Sequence, residues 1–246
     1  MFEVIVLGVG DSFSERHHSS ALLLRAEGFT LAVDCPDMYR RVLRQAGERA
    51  RLELSLPAVD QVLITHVHGD HMNGLEGVAF YKHFVERKRL SLAASPEVRQ
   101  AIWDGRLRAP MEQLWDGQAF RAMSFDDYFD FAPLPWDAPS VAGPFTIRTY
   151  RTRHHVPTSA LLIEAGGRKL GYSSDTAFDP GLIDFLSAAH VIIHETNLGP
   201  AHTAYADLLT LPEAVRARMS LIHYPDIFPT EMSQIPVLHE GQIIRV

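Results

Sequence analysis

The sequence holds a single cysteine, Cys35, among 246 residues, so an internal disulfide and a cysteine-rich zinc cluster are both excluded. Flanked by Asp34 and Pro36 at the end of an apolar stretch, Cys35 reads as a small buried filler rather than a nucleophile. No apolar run approaches the ~18 residues of a membrane-spanning helix, and Met1-Phe2-Glu3-Val4 opens into a strand-like stretch without a basic leader. A cytoplasmic protein with no membrane partner is expected. Positive charge is also scarce: 23 Lys and Arg stand against 30 Asp and Glu, a net charge of -7. That balance sets the surface against long nucleic acids and favours small substrates. No break in composition divides the chain, which predicts one domain over residues 1–246 with ordinary globular hydrophobic content. Gly8-Val9-Gly10 lacks a third glycine at the dinucleotide-fingerprint spacing, so it reads as a turn.

What is present in abundance is metal-ligand chemistry. Thr65-His66-Val67-His68-Gly69-Asp70-His71 follows the apolar run Val62-Leu63-Ile64. His66 and His68 are two apart, so on a chain still extended from a strand both rings leave on the same side. Gly69 then permits a change of direction that lets Asp70 and His71 face a neighbouring position. Unlike H-E-x-x-H, whose helical spacing serves a single zinc, this pattern suits a loop and a pair of ions.

Alternating and β-branched runs predict strands at Phe2 to Leu7, Ala21 to Arg25, Phe29 to Val33 and Asp60 to Thr65, with a hairpin turn at Glu27-Gly28. Helical spacing covers Asp37 to Arg51, a start at Asn73-Gly74-Leu75, and Glu97 to Leu107 behind Pro96. His17 and His18 fall in a polar loop, and His83 sits on a solvated helix face. Residues 116–143, rich in Trp, Phe, Asp and Pro, show no clean period and suit a pocket rim or a dimer contact. Strands then recur at Leu90 to Ala94, Phe145 to Arg151, Ala160 to Glu164, Lys169 to Tyr172, Val191 to Ile193 and Ser220 to Ile222. Four of them deliver, in turn, His154-His155, Asp175, His194-Glu195 and His223. That repetition is a second line of evidence for a site along a sheet edge.

The motif H-x-H-x-D-H after an apolar strand resembles the hallmark of the metallo-β-lactamase superfamily. The resemblance implies an α/β fold, an αββα sandwich of two mixed sheets flanked by helices, with a dinuclear centre on one edge. It implies a first metal held by His66, His68 and His154, a second by Asp70, His71 and His223, and Asp175 bridging both. His154 is preferred to His155 because His154-x-Val156-Pro157 is similar to the family motif, and Asp34 is the residue that braces the histidine loop from behind. Zn or Mn, with Fe also open, suits imidazole and carboxylate donors.

Ser174-Asp175-Thr176, His194-Glu195-Thr196 and Pro200-Ala201-His202-Thr203 resemble the phosphodiesterase branch that contains tRNase Z. The resemblance makes His202 the general acid for the leaving oxygen, oriented by Glu195, and counts Asp70 with them among the catalytic residues. His194 matches the same box with a structural role equally open. The family box reads His-Glu-Ala-Thr, and this chain lacks the Ala. Twenty residues separate His154 from Asp175, enough for a hairpin and too few for the tRNA-holding arm. The layout is therefore closer to the small cyclic phosphodiesterases of the branch, acting on a small phosphodiester of cyclic-nucleotide type, and such relatives commonly form homodimers. Two alternatives remain: an acyl hydrolase of lactones, thioesters or β-lactams on the same metals, or a tRNA 3'-processing endonuclease. Asp175, in place of a Cys, disfavours zinc β-lactamases, and His68 disfavours the redox di-iron relatives. A non-catalytic binding module is disfavoured by the retention of all seven ligand candidates.

Overall fold

A computed structural model describes residues 1–246. The first half of the chain is a hairpin followed by parallel crossovers. β1 (Glu3–Gly8), β2 (Ala21–Ala26) and β3 (Phe29–Val33) pair antiparallel. Glu27 and Gly28 turn the β2–β3 hairpin with φ of 50° and 79°, the paired positive angles that match the twist of flanking strands. α1 (Tyr39–Ala50) returns the chain to β4 (Gln61–Leu63), parallel to β3. α2 (Gly69–Met72) and α3 (Leu75–Phe80) then lead to β5 (Leu90–Ala94), parallel to β4.

α4 (Pro96–Ile102) starts where Ser95 Oγ accepts from the Val98 amide and Pro96 takes the first turn. The single helix expected to Leu107 instead loosens at Ile102 into a π-helical turn over Trp103–Leu107. After α5 (Arg108–Met111), β6 (Gln113–Trp115) and β7 (Phe120–Ala122) form a detached two-stranded hairpin. α6 (Phe125–Tyr128) then feeds β8 (Phe129–Pro133), which pairs parallel with β5. The segment without visible periodicity thus completes a sheet edge, where one solvated side and a terminal Pro are tolerated. Its residues do not line the main cavity.

The second half builds the other sheet. β9 (Ser140–Ala142), β10 (Phe145–Arg151), β11 (Ser159–Ala165) and β12 (Arg168–Tyr172) form an antiparallel meander. α7 (Pro180–Leu186) crosses to β13 (Val191–Glu195), and α8 (Tyr205–Leu209) precedes β14 (Met219–Ile222), with β12, β13 and β14 parallel. β15 (Ile243–Arg245) returns to β1, giving sheets of seven and six strands.

Strand parity explains the layers. Leu22 and Leu24 point between the sheets, where Phe2 meets Phe145 edge-on at 5.5 Å, while Ala21 and Leu23 point to the helices with Val42, Leu75 and Val78. Both faces of β2 are buried, so the strand reads as a continuous apolar run. α7 and α8 cover the far face of the second sheet through Leu182, Leu186 and Leu208. The result is the expected αββα sandwich. No helix is long and apolar enough to cross a membrane. His83, expected on a solvated face, packs against the Tyr128 ring at 5.1 Å, and His17 and His18 are half-buried.

Gly74 sits where the chain passes closest to itself: a Cβ there would run into the carbonyl oxygen of Pro36, whereas nothing lies within 4 Å of a Cβ at Gly77. Gly74→Ala is expected to cost about 1–3 kcal/mol, a fall of several degrees in Tm for a chain of this size. Gly77→Ala, one turn later on an exposed helix face, is expected to stabilise by about 0.5–1 kcal/mol. Thermal melts of the two variants beside the parent check the pair.

Candidate metal centre

The histidine loop is built by extending β4 and then stopping it. Ile64 still bonds across to Ala93 (2.9 Å), and the next residue is captured by Asp34: the Thr65 amide and hydroxyl donate to Asp34 Oδ1 at 2.8 and 2.9 Å. The Thr65 carbonyl accepts from the Ser159 amide (3.1 Å), which ties the loop to the second sheet. His66 and His68 leave the same side as parity requires, their ring centroids 4.8 Å apart. The change of direction at Gly69 is the start of α2 and needs no glycine-only angle. Gly69 is small for another reason, since a Cβ would press on Asn73 Nδ2 at 2.7 Å.

Two clusters share one carboxylate. His66, His68, His154 and Asp175 present ligand atoms within 4.8 Å of one another, and so do Asp70, His71, Asp175 and His223. Within the first, His154 Nε2 lies 3.1 Å from His68 Nδ1 and 3.6 Å from Asp175 Oδ2. Within the second, His71 Nε2 is 3.3 Å from Asp175 Oδ1 and His223 Nε2 is 3.3 Å from Asp70 Oδ2. His155 belongs to neither cluster; it is exposed at the cavity wall, its ring 5.1 Å from that of His154.

These donors fit cations. His66 Nε2, His71 Nε2 and Asp175 Oδ1 are buried without a hydrogen-bond partner, which is costly unless something else occupies the space in front of them. Their rear atoms are fixed: His66 Nδ1 lies 3.0 Å from Thr65 Oγ1, His71 Nδ1 2.8 Å from Asp34 Oδ2, and His154 Nδ1 3.0 Å from the Ala201 carbonyl. Binding one ring nitrogen from behind leaves the Nε2 lone pair free, the arrangement of a metal-ligating imidazole.

The electrostatics point the same way. Burial works to raise the Asp70 and Asp175 carboxyls, but the surrounding His71 and His223 rings hold both far below the usual range. Burial works to lower His71, yet Asp175, Asp70 and Asp34 drive it well above its ordinary value. The carboxylates thus favour positive charge at the positions of His71 and His223. His66 and His154 lie on the other side of the balance, burial pushing His154 down to about 4. Three residues bracketing the cage, Asp34, Ser174 and His223, carry φ of 65°, 50° and 58°, a region non-glycine residues enter at a cost and that recurs at functional sites.

The remaining sequence candidates also converge. Glu195 is buried, and its Oε1 accepts from the Thr176 amide (2.8 Å) and lies 2.9 Å from His202 Nδ1. Burial first, then the nearby Asp175, pushes the Glu195 carboxyl well above its ordinary value. The His202 ring stacks on His223 at 5.5 Å with planes 22° apart. His194 is buried and joins none of these clusters, its Nδ1 2.7 Å from the Glu195 carbonyl, and burial pushes it down to about 4.

A cavity of about 720 Å3 opens over the shared carboxylate. Part of its wall was not anticipated from the sequence: Asp11, Ser12 and Phe13 from the β1–β2 loop, and Asn197, whose Nδ2 lies 3.2 Å from Asp11 Oδ2 and 3.3 Å from His223 Nδ1. The available signal was an aromatic side chain in an otherwise polar loop. His17 and His18 do not reach the cavity; His18 Nε2 is engaged by Gln45 at 2.6 Å.

Comparison with known proteins agrees with this architecture. Residues 2–240 match the protein family described as Anti-Pycsar protein Apyc1. The Anti-Pycsar protein Apyc1 of Paenibacillus sp. (strain J14) is 31% identical over 230 residues, covering 90% of this chain and 88% of that protein. The one from Bacillus phage 010DV004 is 30% identical over 237 residues, covering 91% and 89%. Among solved structures, the metallo-beta-lactamase fold protein YhfI from Bacillus subtilis superposes with a TM-score of 0.77 at 18% identity, covering 99% of this chain and 98% of that one. The short form of human tRNase Z superposes at 0.70 with 20% identity over the same shares, so both attest the fold alone. Sequence and architecture together make this chain a member of the Anti-Pycsar protein Apyc1 family, built on the metallo-β-lactamase fold.

Proposed function

We propose that the chain is a metal-dependent hydrolase of small phosphodiesters of the cyclic-nucleotide type, with His66, His68, His154 and Asp175 holding one divalent ion and Asp70, His71, His223 and Asp175 the other. The observation that carries the reading is the Glu195–His202 pair at the edge of this cage. With Nδ1 engaged by Glu195, His202 keeps Nε2 as the atom that gives a proton to a departing alkoxide. An acyl hydrolase has less use for such an acid. The β11–β12 connection, a tight Gly166–Gly167 turn, leaves no arm for tRNA.

Divalent ions held by this cage would supply chemistry the side chains lack, a lowered pKa for bound water and neutralisation of phosphoryl oxygens. Zn or Mn fits the imidazole and carboxylate donors. The protein's part is to orient. Asp34 fixes His71, the Ala201 carbonyl fixes His154, and Thr65 fixes His66, so that each Nε2 faces inward. Asp70 lies on the same side as His71 and His223, where it can accept a hydrogen bond from the attacking water. Glu195 restrains the His202 ring at the cavity, and burial of Glu195 keeps water from competing for that bond. Pairing of two chains into a homodimer, carried by the resemblance, belongs to the same proposal.

Metal-loaded protein, reconstituted separately with Zn and Mn, is expected to hydrolyse bis-nitrophenyl phosphate and cyclic mononucleotides while leaving a homoserine lactone, a β-lactam and a precursor tRNA intact. Cleavage of only the lactone or lactam would overturn the assignment. His202→Ala is expected to keep its metal content by elemental analysis and to lower kcat on a cyclic mononucleotide by roughly 10²- to 10⁴-fold. The nitrophenyl diester, whose leaving group needs no proton, should lose much less, and equal losses would remove His202 from the acid role. Asp34→Ala is expected to weaken metal retention by about 10- to 100-fold in competition with a chelator. Unchanged retention there would show that His71 is oriented by other means.

A further inference from the structure

Among the residues lining the cavity, two are apolar, and neither is buried: Phe13 is 87% exposed and Leu198 is 64% exposed. The wall between them consists of Asp, Ser, Asn, His and Gly, with no lysine or arginine. A large ring left in water at the lip of a polar cavity has no folding role. Nor is it loosely carried. The Phe13 amide donates to Asp11 Oδ1 (3.0 Å), and the next residue is anchored by Ser14 Oγ to Asp226 Oδ1 (2.5 Å). The Glu15 amide donates to Asp226 Oδ2 (2.9 Å), and the His17 amide to Ser14 Oγ (2.9 Å). Asp11 then binds Asn197 with its other oxygen, and Asn197 Oδ1 accepts from the Leu198 amide (2.7 Å). One buried carboxylate therefore sets the backbone of both apolar residues, which reach the cavity from separate loops.

We propose that Phe13 is the platform on which the nucleobase of the substrate stacks, with Leu198 as a second apolar lip. The inference rests on the phosphodiesterase reading and assigns it a specificity determinant. A cyclic mononucleotide divides into a phosphodiester that belongs at the cage and a flat base that does not. Bases stack on aromatic rings without sequence-specific hydrogen bonds, which suits a rim whose apolar surface comes from Phe13 and Leu198. With the Phe13 backbone already fixed, less chain freedom is lost on binding, so the contact appears as affinity. The absence of lysine and arginine favours a ligand carrying the single negative charge of a diester over one bearing a terminal phosphate.

The test uses the metal-loaded full chain with two substrates, a cyclic mononucleotide and a ribose cyclic phosphate that lacks a base. Phe13→Ala is expected to raise KM for the nucleotide by roughly five- to a hundredfold, the span found when a base loses its aromatic partner, with kcat nearly retained. KM for the baseless sugar should move far less, and Phe13→Tyr should restore the nucleotide KM. Equal shifts for both substrates, or no shift, would overturn the platform. So would a change in the mass of the assembly by light scattering, which would place Phe13 at a contact between copies. Cleavage by the parent protein of the baseless substrate alone would overturn the platform and leave the phosphodiesterase reading standing. Failure to cleave any phosphodiester would remove both.

Discussion

The carboxylate of Asp34 is the fixed point on which the centre is built. It sits at the end of β3 with φ of 65°, fully buried, and accepts from the Thr65 amide, the Thr65 hydroxyl and His71 Nδ1. Those contacts join the end of one strand to both ends of the histidine loop on its neighbour. The Cys35 amide adds a bond to the His71 carbonyl (2.7 Å), and Gly74 closes the circuit through its own amide to the Cys35 carbonyl (3.0 Å). Burial raises the Asp34 carboxyl above its ordinary value, and the surrounding His71 and Thr65 donors offset only part of that rise. A buried charge of this kind is tolerable only while every lone pair is used. The loop's geometry and the acid's ionisation are therefore one condition.

A second condition is charge balance within the cage. Asp70 and Asp175 bring two negative charges to the floor of the cavity, and the rings around them respond unequally. His71 and His223 are driven toward the protonated form, while His66 and His154 are driven away from it. The imidazoles whose charged form the carboxylates favour are those nearest Asp70. Divalent cations would relieve the same imbalance by replacing protons, so that every ring becomes a neutral ligand. Strained backbone at Ser174 and His223 fits this picture, because both stand where a strand must end abruptly to aim a side chain inward.

Legibility in the sequence followed the physics of each feature. Strand runs at β2 and β11 were readable because burial on both faces demands continuous apolar residues, and β10 because one buried face gives a strict alternation. The hairpin at Glu27-Gly28 was readable because its turn needs positive φ. His66 and His68 were readable because a period of two survives one residue past the strand. The clustering of Asp175, His154 and His223 came instead from the resemblance, since nothing local says that separate strand ends meet. β8 was hidden because an edge strand carries polar residues and a proline. The break in the helix after Ile102 was hidden because no residue there forbids an α-helix. Asp11, Phe13 and Asn197 were hidden because loops have no period, and their importance depends on what lies across the cavity.

The order in which the chain is made bears on how the centre comes into being. Asp70 and His223 face each other across 153 positions of sequence, and the shared carboxylate Asp175 comes from a third place, on the second sheet. Closing so long a loop is slow and is not repaid until both sheets are packed. On a ribosome the histidine loop emerges well before β14, so the nascent chain offers only half a cage. A cation held by the complete cage would therefore lock a fold already reached.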